Sequence, residues 1–260
     1  MRARKRFGQH FLHDPAVIRR IIAAVSARTD GPIVEIGPGR GALTQFLIEL
    51  NGALDAIEID RDLAALLRER FAGAPRFVLH ETDALDFDFA ALARERGARL
   101  RIVANLPYNI STPLLFHLLG DCAAILDMHL MLQREVVDRL VAPPGGGDYG
   151  RLTVMLAPWV QIERLFDIGP GAFSPAPRVW SAMVRLTVRA APAFTVSPHF
   201  ARVVAAAFGH RRKTLRNALK GLVSAQQIAA CALDGGARPE TFAPEAFNAL
   251  ARTLDACAES

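Results

Sequence analysis

Short apolar segments that alternate with helical segments are the feature that most constrains how this chain can fold. Five of them have the length and composition of buried strands: residues 33–36, 54–57, 77–79, 100–104 and 125–132. The first helical segment opens at Asp14 and Pro15, and its apolar residues then recur at helical spacing. Strands that alternate with helices predict a parallel sheet with right-handed crossovers, and hence a doubly wound α/β domain.

The last third of the chain follows a different pattern. Residues 152–160 and 182–188 resemble strands and are predicted to form the antiparallel far edge of the sheet. From residue 197 onward only helical segments follow, near residues 199–222, 224–233 and 244–257. The sequence therefore predicts two domains, a catalytic one over residues 1–196 and a small helical one over residues 197–260.

Charge is unevenly distributed along the 260 residues, which carry a net charge of +5. Codon bias could explain an excess of arginine over lysine, but it does not explain clustering. One basic cluster lies within residues 1–25 beside a single acid, Asp14, and the other lies within residues 199–220 without any acid. Two separate clusters favour a nucleic-acid partner. Their members are Arg2, Arg4, Lys5, Arg6, Arg19 and Arg20, and Arg202, Arg211, Arg212, Lys213, Arg216 and Lys220.

Cysteine usage and hydropathy exclude several classes of protein. Cys122, Cys231 and Cys257 are scattered, which predicts neither a disulfide framework nor a zinc site. No apolar stretch approaches the roughly 18 residues of a membrane helix, and the N-terminus lacks the apolar core of a secretory signal. We therefore expect a cytoplasmic protein that holds no metal and contacts no membrane.

A glycine-rich turn follows the first strand and predicts a ligand site. Gly37, Gly39 and Gly41 would let the backbone approach a ligand closely, and the next helix begins directly after them. Glu58 ends the second strand and could accept hydrogen bonds from two ribose hydroxyls, while Asp83 could accept one from an adenine amine. The same pattern fits a nicotinamide dinucleotide or S-adenosylmethionine, so these residues alone leave the cofactor open.

The loop that follows the strand over residues 100–104 offers a site for an aromatic amine. The side-chain carbonyl of Asn105 and the backbone carbonyl of Leu106 are two acceptors for the two hydrogens of an adenine N6. Pro107 holds the Leu106 carbonyl in a defined direction, and Tyr108 provides a face on which a base can stack. Thr112 and Pro113 are predicted as the N-cap and first residue of the next helix. An Asn-x-Pro sequence is also ordinary turn chemistry.

Taken together, these motifs closely resemble the KsgA/RsmA family, the small-subunit (16S) ribosomal RNA adenine dimethyltransferases. The resemblance extends nearly end to end. The motifs are KRFGQHFL at residues 5–12, VEIGPGRG at 34–41, NLPYNISTP at 105–113, MLQREVVDRL at 131–140, YGRL at 149–152, AFSPAP at 172–177 and RRKTLRN at 211–217. Their number and order indicate that the chain is similar to this family throughout.

The resemblance implies a class I, Rossmann-like methyltransferase sheet with a small all-helical C-terminal domain. It also implies transfer of methyl groups from S-adenosylmethionine to N6 of two adjacent adenines near the 3′ end of the RNA, within an immature 30S particle. A monomer is the default expectation. A second adenine-modifying family, the erythromycin-resistance methyltransferases of large-subunit RNA, shares the Asn-x-Pro-Tyr loop. A non-catalytic ribosome-assembly factor and an NAD-dependent oxidoreductase are the rivals from other classes.

Carried over by position, the resemblance also assigns roles to particular residues. Phe173 is expected to cover the second face of the target adenine, and its Pro- and Gly-rich surroundings favour an exposed position over one in the core. His10 stands where the family commonly has Asn, and Gly209 and His210 stand where relatives often have Asn and Gln. The cofactor contacts fall on His10, Leu12, Gly37, Gly39, Glu58, Asp83 and Asn105, the catalytic residues are Asn105, Leu106, Pro107, Tyr108 and Phe173, and the RNA contacts are Arg211, Arg212 and Lys213.

Overall fold

The predicted alternation of strands and helices is present in the computed structural model, which describes residues 10–27, 31–51, 53–107, 110–210 and 212–255. In chain order the elements are β1 (Phe11–Leu12), α1 (Pro15–Ser26), β2 (Ile33–Ile36), α2 (Thr44–Asn51), β3 (Leu54–Ile57), α3 (Arg61–Arg70), β4 (Phe77–His80), α4 (Phe89–Arg96), β5 (Leu100–Asn105), α5 (Ser111–Gly120), β6 (Ile125–Gln133), α6 (Arg134–Val141), α7 (Arg151–Leu156), β7 (Val160–Ile168), β8 (Phe173–Ser174), β9 (Ser181–Val188), α8 (Phe200–Ala207), α9 (Leu215–Ala218), α10 (Ala225–Ala230) and α11 (Pro244–Asp255).

Seven of these strands form the main sheet, in the order β4-β3-β2-β5-β6-β9-β7. The strands from β4 to β6 in that order are parallel to their neighbours, and β9 is antiparallel to β6. Successive strands after β2 are therefore added on one side of it, up to β4, and those after β5 are added on the opposite side. This reversal of direction between β2 and β5 opens a crevice beyond the carboxyl ends of these two strands. The predicted α/β fold is confirmed.

Helix α1 shows how the sequence determines local structure in this domain. The Asp14 carboxylate accepts hydrogen bonds from the backbone N–H groups of Ala16 (2.7 Å) and Val17 (3.2 Å), as an N-cap does. Helical spacing then places Ile18, Ile21 and Val25 on one buried face. These residues join the main core with side chains from the strands, namely Ile33, Leu54, Val103, Met131 and Met183.

The predicted strand over residues 152–160 is wrong. Helix α7 occupies the start of this segment and buries Thr153, Val154 and Leu156, while Pro158 follows the helix and prevents its extension. The strand in this region is β7, which begins at Val160. Its polar residues disrupt the apolar alternation in the sequence, and one of them, Glu163, lies 3.3 Å from Arg185 of β9. The pairing of β7 with β9 could not be predicted from the sequence of either strand alone.

The beginning of α5 also differs from the prediction, by two residues. The helix begins at Ser111 with Ile110 as its N-cap, so Pro113 is its third residue rather than its first. The Leu114 N–H donates to the carbonyl of Ile110 at 2.9 Å. Proline is tolerated within the first helical turn because N–H groups there have no partner within the helix. The turn before the helix is therefore shorter than predicted.

Two compact units divide the chain. The first comprises the described residues up to 137 together with Ile162–Val188, and the second comprises Asp138–Gln161 and the described residues from Arg189 onward. Because the chain enters the second unit twice, this division does not coincide with the contiguous domains predicted over residues 1–196 and 197–260. That domain assignment, with its division of labour, stays a prediction.

The second unit has a helical core of its own, to which α7, α8 and α11 contribute. The Pro- and Gly-rich segment at residues 142–150 is held to it, because the Tyr149 hydroxyl donates to the Phe242 carbonyl at 2.9 Å and the Gly145 N–H donates to the Glu240 carbonyl at 2.7 Å. The five described basic side chains of the second cluster are exposed, namely Arg202, Arg212, Lys213, Arg216 and Lys220. Arg211 lies outside the described residues, as do Cys257 and the residues from Arg2 to Arg6.

The described residues contain neither a candidate membrane span nor a candidate metal site. None of the helices in these ranges is long and apolar enough to cross a membrane. Likewise, the described histidine, cysteine, aspartate and glutamate side chains form no group of three that could hold a metal ion.

Candidate active site

The register of the parallel strands brings the predicted site residues to one edge of the sheet. Ile36, the last residue of β2, pairs with Ile57 of β3 on one side and with Ala104 of β5 on the other. The residues that follow them, Gly37, Glu58 and Asn105, therefore lie side by side at the carboxyl ends of three adjacent strands. The fold thus joins three segments that are far apart in sequence.

A cavity of about 320 Å³ opens at this edge. Its volume is within the range of small-molecule and cofactor sites. Ten of the predicted site residues line it, namely His10, Leu12, Gly37, Gly39, Glu58, Asp83, Asn105, Leu106, Pro107 and Phe173. Tyr108 lies outside the described residues. Arg212 and Lys213 belong to the second unit and are not among the lining residues.

The glycine turn after β2 lies against aromatic side chains. Gly39 has φ +59°, and a Cβ atom there would come within 3.2 Å of the Phe11 ring. Gly41 has φ +79°, and a Cβ atom would lie 2.9 Å from the Phe71 ring. A larger residue at either position would be strained by both its backbone and its neighbours. The turn therefore depends on glycine for close packing as well as for direction.

Glu58 is fixed by two backbone groups at the wall of the cavity. Its Oε2 accepts from the Gly39 N–H at 3.2 Å and its Oε1 accepts from the Asp60 N–H at 2.9 Å. The residue is 5% exposed. Burial raises the pKa of Glu58 above its ordinary value, and the hydrogen bonds from Asp60 and Gly39 offset only part of this effect. The carboxyl group is thus held rigidly beside the glycine turn, where a ligand can reach it.

Glu35 is a second buried acid in the cavity, and the sequence analysis assigned it no role. The residue is 2% exposed and lines the cavity from within β2. Its Oε2 accepts a hydrogen bond from the Thr44 hydroxyl at 2.6 Å. The pKa of Glu35 is raised to about 8, mainly by burial and to a lesser extent by the nearby Glu58, against the opposing effect of the hydrogen bond from Thr44. An acidic residue inside an apolar strand was the signal that could have identified it.

Asp83 and Ile59 complete the wall on the side of β3 and β4. Asp83 follows β4, and its Oδ1 accepts from the Leu85 N–H at 2.9 Å, which orients the carboxylate. Ile59 is 46% exposed although it lines the cavity. An apolar side chain left open beside two acids offers a surface for a flat ring. Sequence reasoning missed Ile59, since an isoleucine after a strand-ending acid resembles any residue of a turn.

The Asn105 loop is anchored from both sides. The Leu106 N–H donates to the Met131 carbonyl of β6 at 3.2 Å, and the Leu106 side chain is 1% exposed. The Asn105 side-chain amide donates to the His10 carbonyl at 3.3 Å. Because this bond uses the nitrogen end of the amide, Oδ1 points away from His10. The backbone of Pro107 is fixed as well, because its carbonyl accepts from the Ile110 N–H at 3.2 Å.

The N-terminal segment and the AFSPAP motif pair with each other over the cavity. Phe11 and Leu12 of β1 are antiparallel to Ser174 and Phe173 of β8. The His10 ring is joined to the same segment, since Nδ1 lies 2.7 Å from the Pro175 carbonyl, which can only accept. The imidazole therefore binds the paired segment. Whether His10 also contacts the cofactor stays a prediction.

Phe173 does not have the exposed position that was expected. The side chain is 4% exposed and packs in the main core with Leu12, Met131 and Met183. The Pro- and Gly-rich surroundings indicated a surface loop, but pairing with β1 draws the segment inward. Phe173 nevertheless lines the cavity. Phe11, which was not singled out, lines it too, with the Arg40 guanidinium 4.5 Å from the centre of its ring.

Comparison with known proteins places these features in a family. The sequence matches the family described as ribosomal RNA adenine dimethylase over residues 1–255. It is 54% identical over 260 residues to ribosomal RNA small subunit methyltransferase A of Pseudomonas aeruginosa, covering 97% of this chain and 95% of that protein. The protein of the same name from Nitrosococcus oceani is 54% identical over 253 residues, covering 96% of each.

Two solved structures extend the comparison to the fold. The 23S rRNA methyltransferase ErmE is 28% identical with a TM-score of 0.71, covering 94% of this chain and 99% of that one. A dimethyladenosine transferase from Plasmodium falciparum is 22% identical with a TM-score of 0.79, covering 96% and 98%, which shows the shared fold. On the family match and the 54% identity of its relatives, the chain belongs to the ribosomal RNA adenine dimethylase family.

Proposed function

We propose that this chain transfers methyl groups from S-adenosylmethionine to N6 of two adjacent adenines near the 3′ end of small-subunit ribosomal RNA. The proposal rests on one observation. The Asn105 loop, Glu58 and the glycine turn all line the same cavity. Family membership and 54% identity to small-subunit methyltransferases support the choice of RNA.

The residues of the cavity fit S-adenosylmethionine. Gly37 and Gly39 line the cavity and carry no side chain, so a ligand can approach the backbone closely there. Glu58 would accept hydrogen bonds from the ribose hydroxyls, and Asp83 would accept one from the adenine amine. When bound, S-adenosylmethionine supplies a methyl group on a positively charged sulfur.

Charge distinguishes this cofactor from a nicotinamide dinucleotide. Glu35, Glu58 and Asp83 line the cavity, and Arg40 is the basic side chain nearest the turn among the lining residues, where it lies over Phe11. Because its pKa is raised to about 8, Glu35 is largely protonated at neutral pH, so the negative charge comes from Glu58 and Asp83, which favour a ligand with positive charge over one with an anionic pyrophosphate. This charge supports S-adenosylmethionine over the nicotinamide dinucleotide that the glycine pattern left open.

Asn105 and Leu106 would hold the target amine. Oδ1 of Asn105 points away from His10, so it can accept one N6 hydrogen while the Leu106 carbonyl accepts the other. With both hydrogens held, the nitrogen lone pair becomes less conjugated with the ring and more nucleophilic. In each round the nitrogen gains a methyl group and releases one proton.

Stacking residues would keep the adenine in place after it leaves its own stack, which costs a few kcal/mol. We assign one face to Tyr108 and the other to Phe173. Since Phe173 is buried except where it lines the cavity, only a base that enters the cavity could reach it. This geometry would restrict the reaction to a flipped-out adenine.

Docking on RNA is proposed for the second basic cluster. Arg212 and Lys213 are exposed, and we include Arg211 by its place in the motif. Phosphate contacts of this kind give affinity that falls steeply with salt and carries little sequence information. Pelleting an Arg212→Ala/Lys213→Ala variant with small subunits at increasing salt tests this RNA contact.

We further propose that the protein acts as a monomer in the cytoplasm and that its partner is an immature 30S particle.

The test is transfer of tritium from labelled S-adenosylmethionine to unmethylated small subunits, followed by nucleoside analysis. Wild type should produce dimethyladenosine, and Asn105→Ala should reduce the rate by about a hundredfold or more, by analogy with loss of a preorganised polar group. Asn51→Ala is the matched control, because Asn51 ends α2 and its amide donates only to the nearby Ala53 carbonyl among the bonds described. Equal rates for Asn105→Ala and wild type would contradict the proposal.

A second candidate substrate follows from the resemblance to ErmE, a 23S rRNA methyltransferase. Large subunits offered in the same assay decide between the two RNAs. Label in large-subunit RNA alone would replace the small-subunit proposal. If the protein pellets with small subunits but transfers no label, it would instead be a non-catalytic assembly factor.

A further inference from the structure

Trp180 is exposed in a way that the proposed reaction does not explain. The side chain is 51% exposed and the preceding Val179 is 43% exposed. Tryptophan is usually well buried, so an exposed one beside another exposed apolar residue marks a surface that can bind a partner. Trp180 is not among the residues that line the cofactor cavity.

Strand register places Trp180 at the same edge of the sheet as Asn105. Asn105 of β5 pairs with Met131 of β6, and Met131 pairs with Met183 of β9. Trp180 precedes β9, three residues before Met183, and the antiparallel direction of β9 brings it to the carboxyl end of β6. From strand spacings of about 4.8 Å and 3.3 Å per residue, the Cα atoms of Asn105 and Trp180 lie roughly 14 Å apart. Nucleotides that flank a base in the cavity can reach that far.

The position of Trp180 is fixed before any ligand binds. Its carbonyl accepts from the Arg134 N–H at 2.9 Å, which joins it to the start of α6. The Cη2 atom of the indole would lie 3.7 Å from a Cβ atom placed on Gly169, so the ring packs against the Gly169 backbone. A rigid aromatic surface of this kind loses little conformational entropy when a flat partner stacks on it.

The charges around Trp180 suit an anionic partner. Arg178 is exposed two residues earlier, and the Arg134 side chain is 52% exposed. The acid on this side, Asp167, lies 3.9 Å from Arg134 and accepts a hydrogen bond from Arg164 at 3.0 Å, which balances its charge. Glu135 follows Arg134 and reduces the net positive charge without reversing it. An aromatic ring with basic neighbours is the usual arrangement for binding single-stranded nucleic acid.

We propose that Trp180 stacks on a base that flanks the target adenine in the RNA strand, with Arg178 beside the adjoining phosphate. The inference rests on the proposed function, because it takes the RNA to be the substrate of the Asn105 site. Stacking outside the cavity would hold the RNA strand while the target base is flipped. The contact would therefore strengthen RNA binding and have little effect on the rate of the chemical step.

The first experiment measures methylation of unmethylated small subunits by Trp180→Ala and Trp180→Phe. Trp180→Ala should lower kcat/KM by about 5- to 100-fold, mainly through KM, and Trp180→Phe should stay within about threefold of wild type because it keeps a stacking ring. Binding of S-adenosylmethionine by calorimetry should be unchanged in both. Val78→Ala is the matched control, since Val78 is 40% exposed on β4, at the other end of the strand order.

The second experiment identifies the partner as RNA. The chain has two tryptophans, so Trp159→Phe makes Trp180 the sole reporter of indole fluorescence. Unmethylated small-subunit RNA stripped of protein should quench this emission with saturation, as expected for a stacked base.

The outcomes separate the two proposals. No label transfer by wild type would refute the proposed function, whereas normal transfer by wild type with an equal KM for Trp180→Ala would refute the role of Trp180. A raised KM on whole subunits without quenching by stripped RNA would also overturn the base contact and would indicate a ribosomal protein at this surface.

Discussion

The two edges of the main sheet bury acidic side chains in opposite ways. At the carboxyl edge, Glu35 and Glu58 lie in the cavity, and burial raises the pKa of both. At the amino edge, Asp55 and Asp127 are 4% and 0% exposed, yet the pKa of each is lowered. Similar burial therefore leads to opposite shifts, and the difference lies in the neighbouring cations.

Basic side chains neutralise the amino edge. Burial alone would raise the pKa of Asp127, but the His129 imidazole at 3.6 Å and the Arg101 guanidinium at 3.1 Å outweigh it. Hydrogen bonds from His80 (2.8 Å) and Arg96 (2.7 Å) have the same effect on Asp55. Arg101 also donates to the Val25 carbonyl at the end of α1, at 2.9 Å. We therefore expect these buried ion pairs and hydrogen bonds to stabilise the folded protein.

Glu35 and Glu58 at the carboxyl edge have partners of a different kind. The hydrogen bonds described for Glu35 and Glu58 come from a hydroxyl and from backbone N–H groups, which carry no full charge. Buried acids without a cation raise the energy of the folded protein, and such sites are common where a ligand completes the interactions. Among the described residues, therefore, the buried acids at the amino edge have basic side chains beside them, whereas Glu35 and Glu58, which line the cavity, are bonded by uncharged groups.

The largest expected effect is on stability, at the amino edge. Arg101→Met should lower the free energy of unfolding by about 3–5 kcal/mol, because it leaves Asp127 buried without its main cation. The measurement is urea denaturation at neutral pH. Arg68→Met is the control, since it breaks a 2.7 Å ion pair with Glu81 at the surface, where such pairs contribute about 1 kcal/mol or less.

The double variant Arg101→Met/Asp127→Leu sharpens this prediction, because removing both charges should restore part of the lost stability. If Arg101→Met were no less stable than Arg68→Met, the amino edge would not depend on its charges.

A smaller effect is expected on cofactor affinity, at the carboxyl edge. Glu58→Gln should raise the Kd for S-adenosylmethionine by about 10- to 100-fold, as expected for loss of hydrogen bonds to a charged acceptor. Glu81→Gln, on the surface beyond β4, is the control. Calorimetric titration provides the measurement, and an unchanged Kd for Glu58→Gln would show that the ribose is held elsewhere.

The last prediction concerns the pH dependence of stability. Because the pKa of Glu35 is raised from 4.5 to about 8, the folded chain holds a proton in this range that the unfolded chain releases. Its contribution to stability is therefore fully present below pH 4.5 and is lost as the pH rises to about 8. Glu35→Gln should flatten this decline. Urea midpoints at pH 5.5 and 8.0 check the prediction, and parallel declines in both proteins would contradict it.

Much of the site could be predicted from the sequence because its chemistry lies within short segments. The glycine turn, the acid that ends β3 and the Asn105 loop each carry their own signal, and parallel strands bring their carboxyl ends together. Ile59 escaped prediction because nothing nearby in the sequence distinguishes it from an ordinary turn residue, whereas Glu35 carried one local signal, an acid inside an apolar strand. Their importance comes from the cavity that they line.

The sequence by itself determined the α/β alternation, the family and most of the residues around the cavity, since hydrophobic period and turn chemistry are local properties. Only the tertiary structure decided that β1 pairs with β8 across about 160 residues, that Phe173 is buried, and that β7 rather than residues 152–160 forms the edge strand. It also decided which buried acids have cations beside them. These outcomes depend on contacts between distant segments, and their free energy cannot be read from either segment alone.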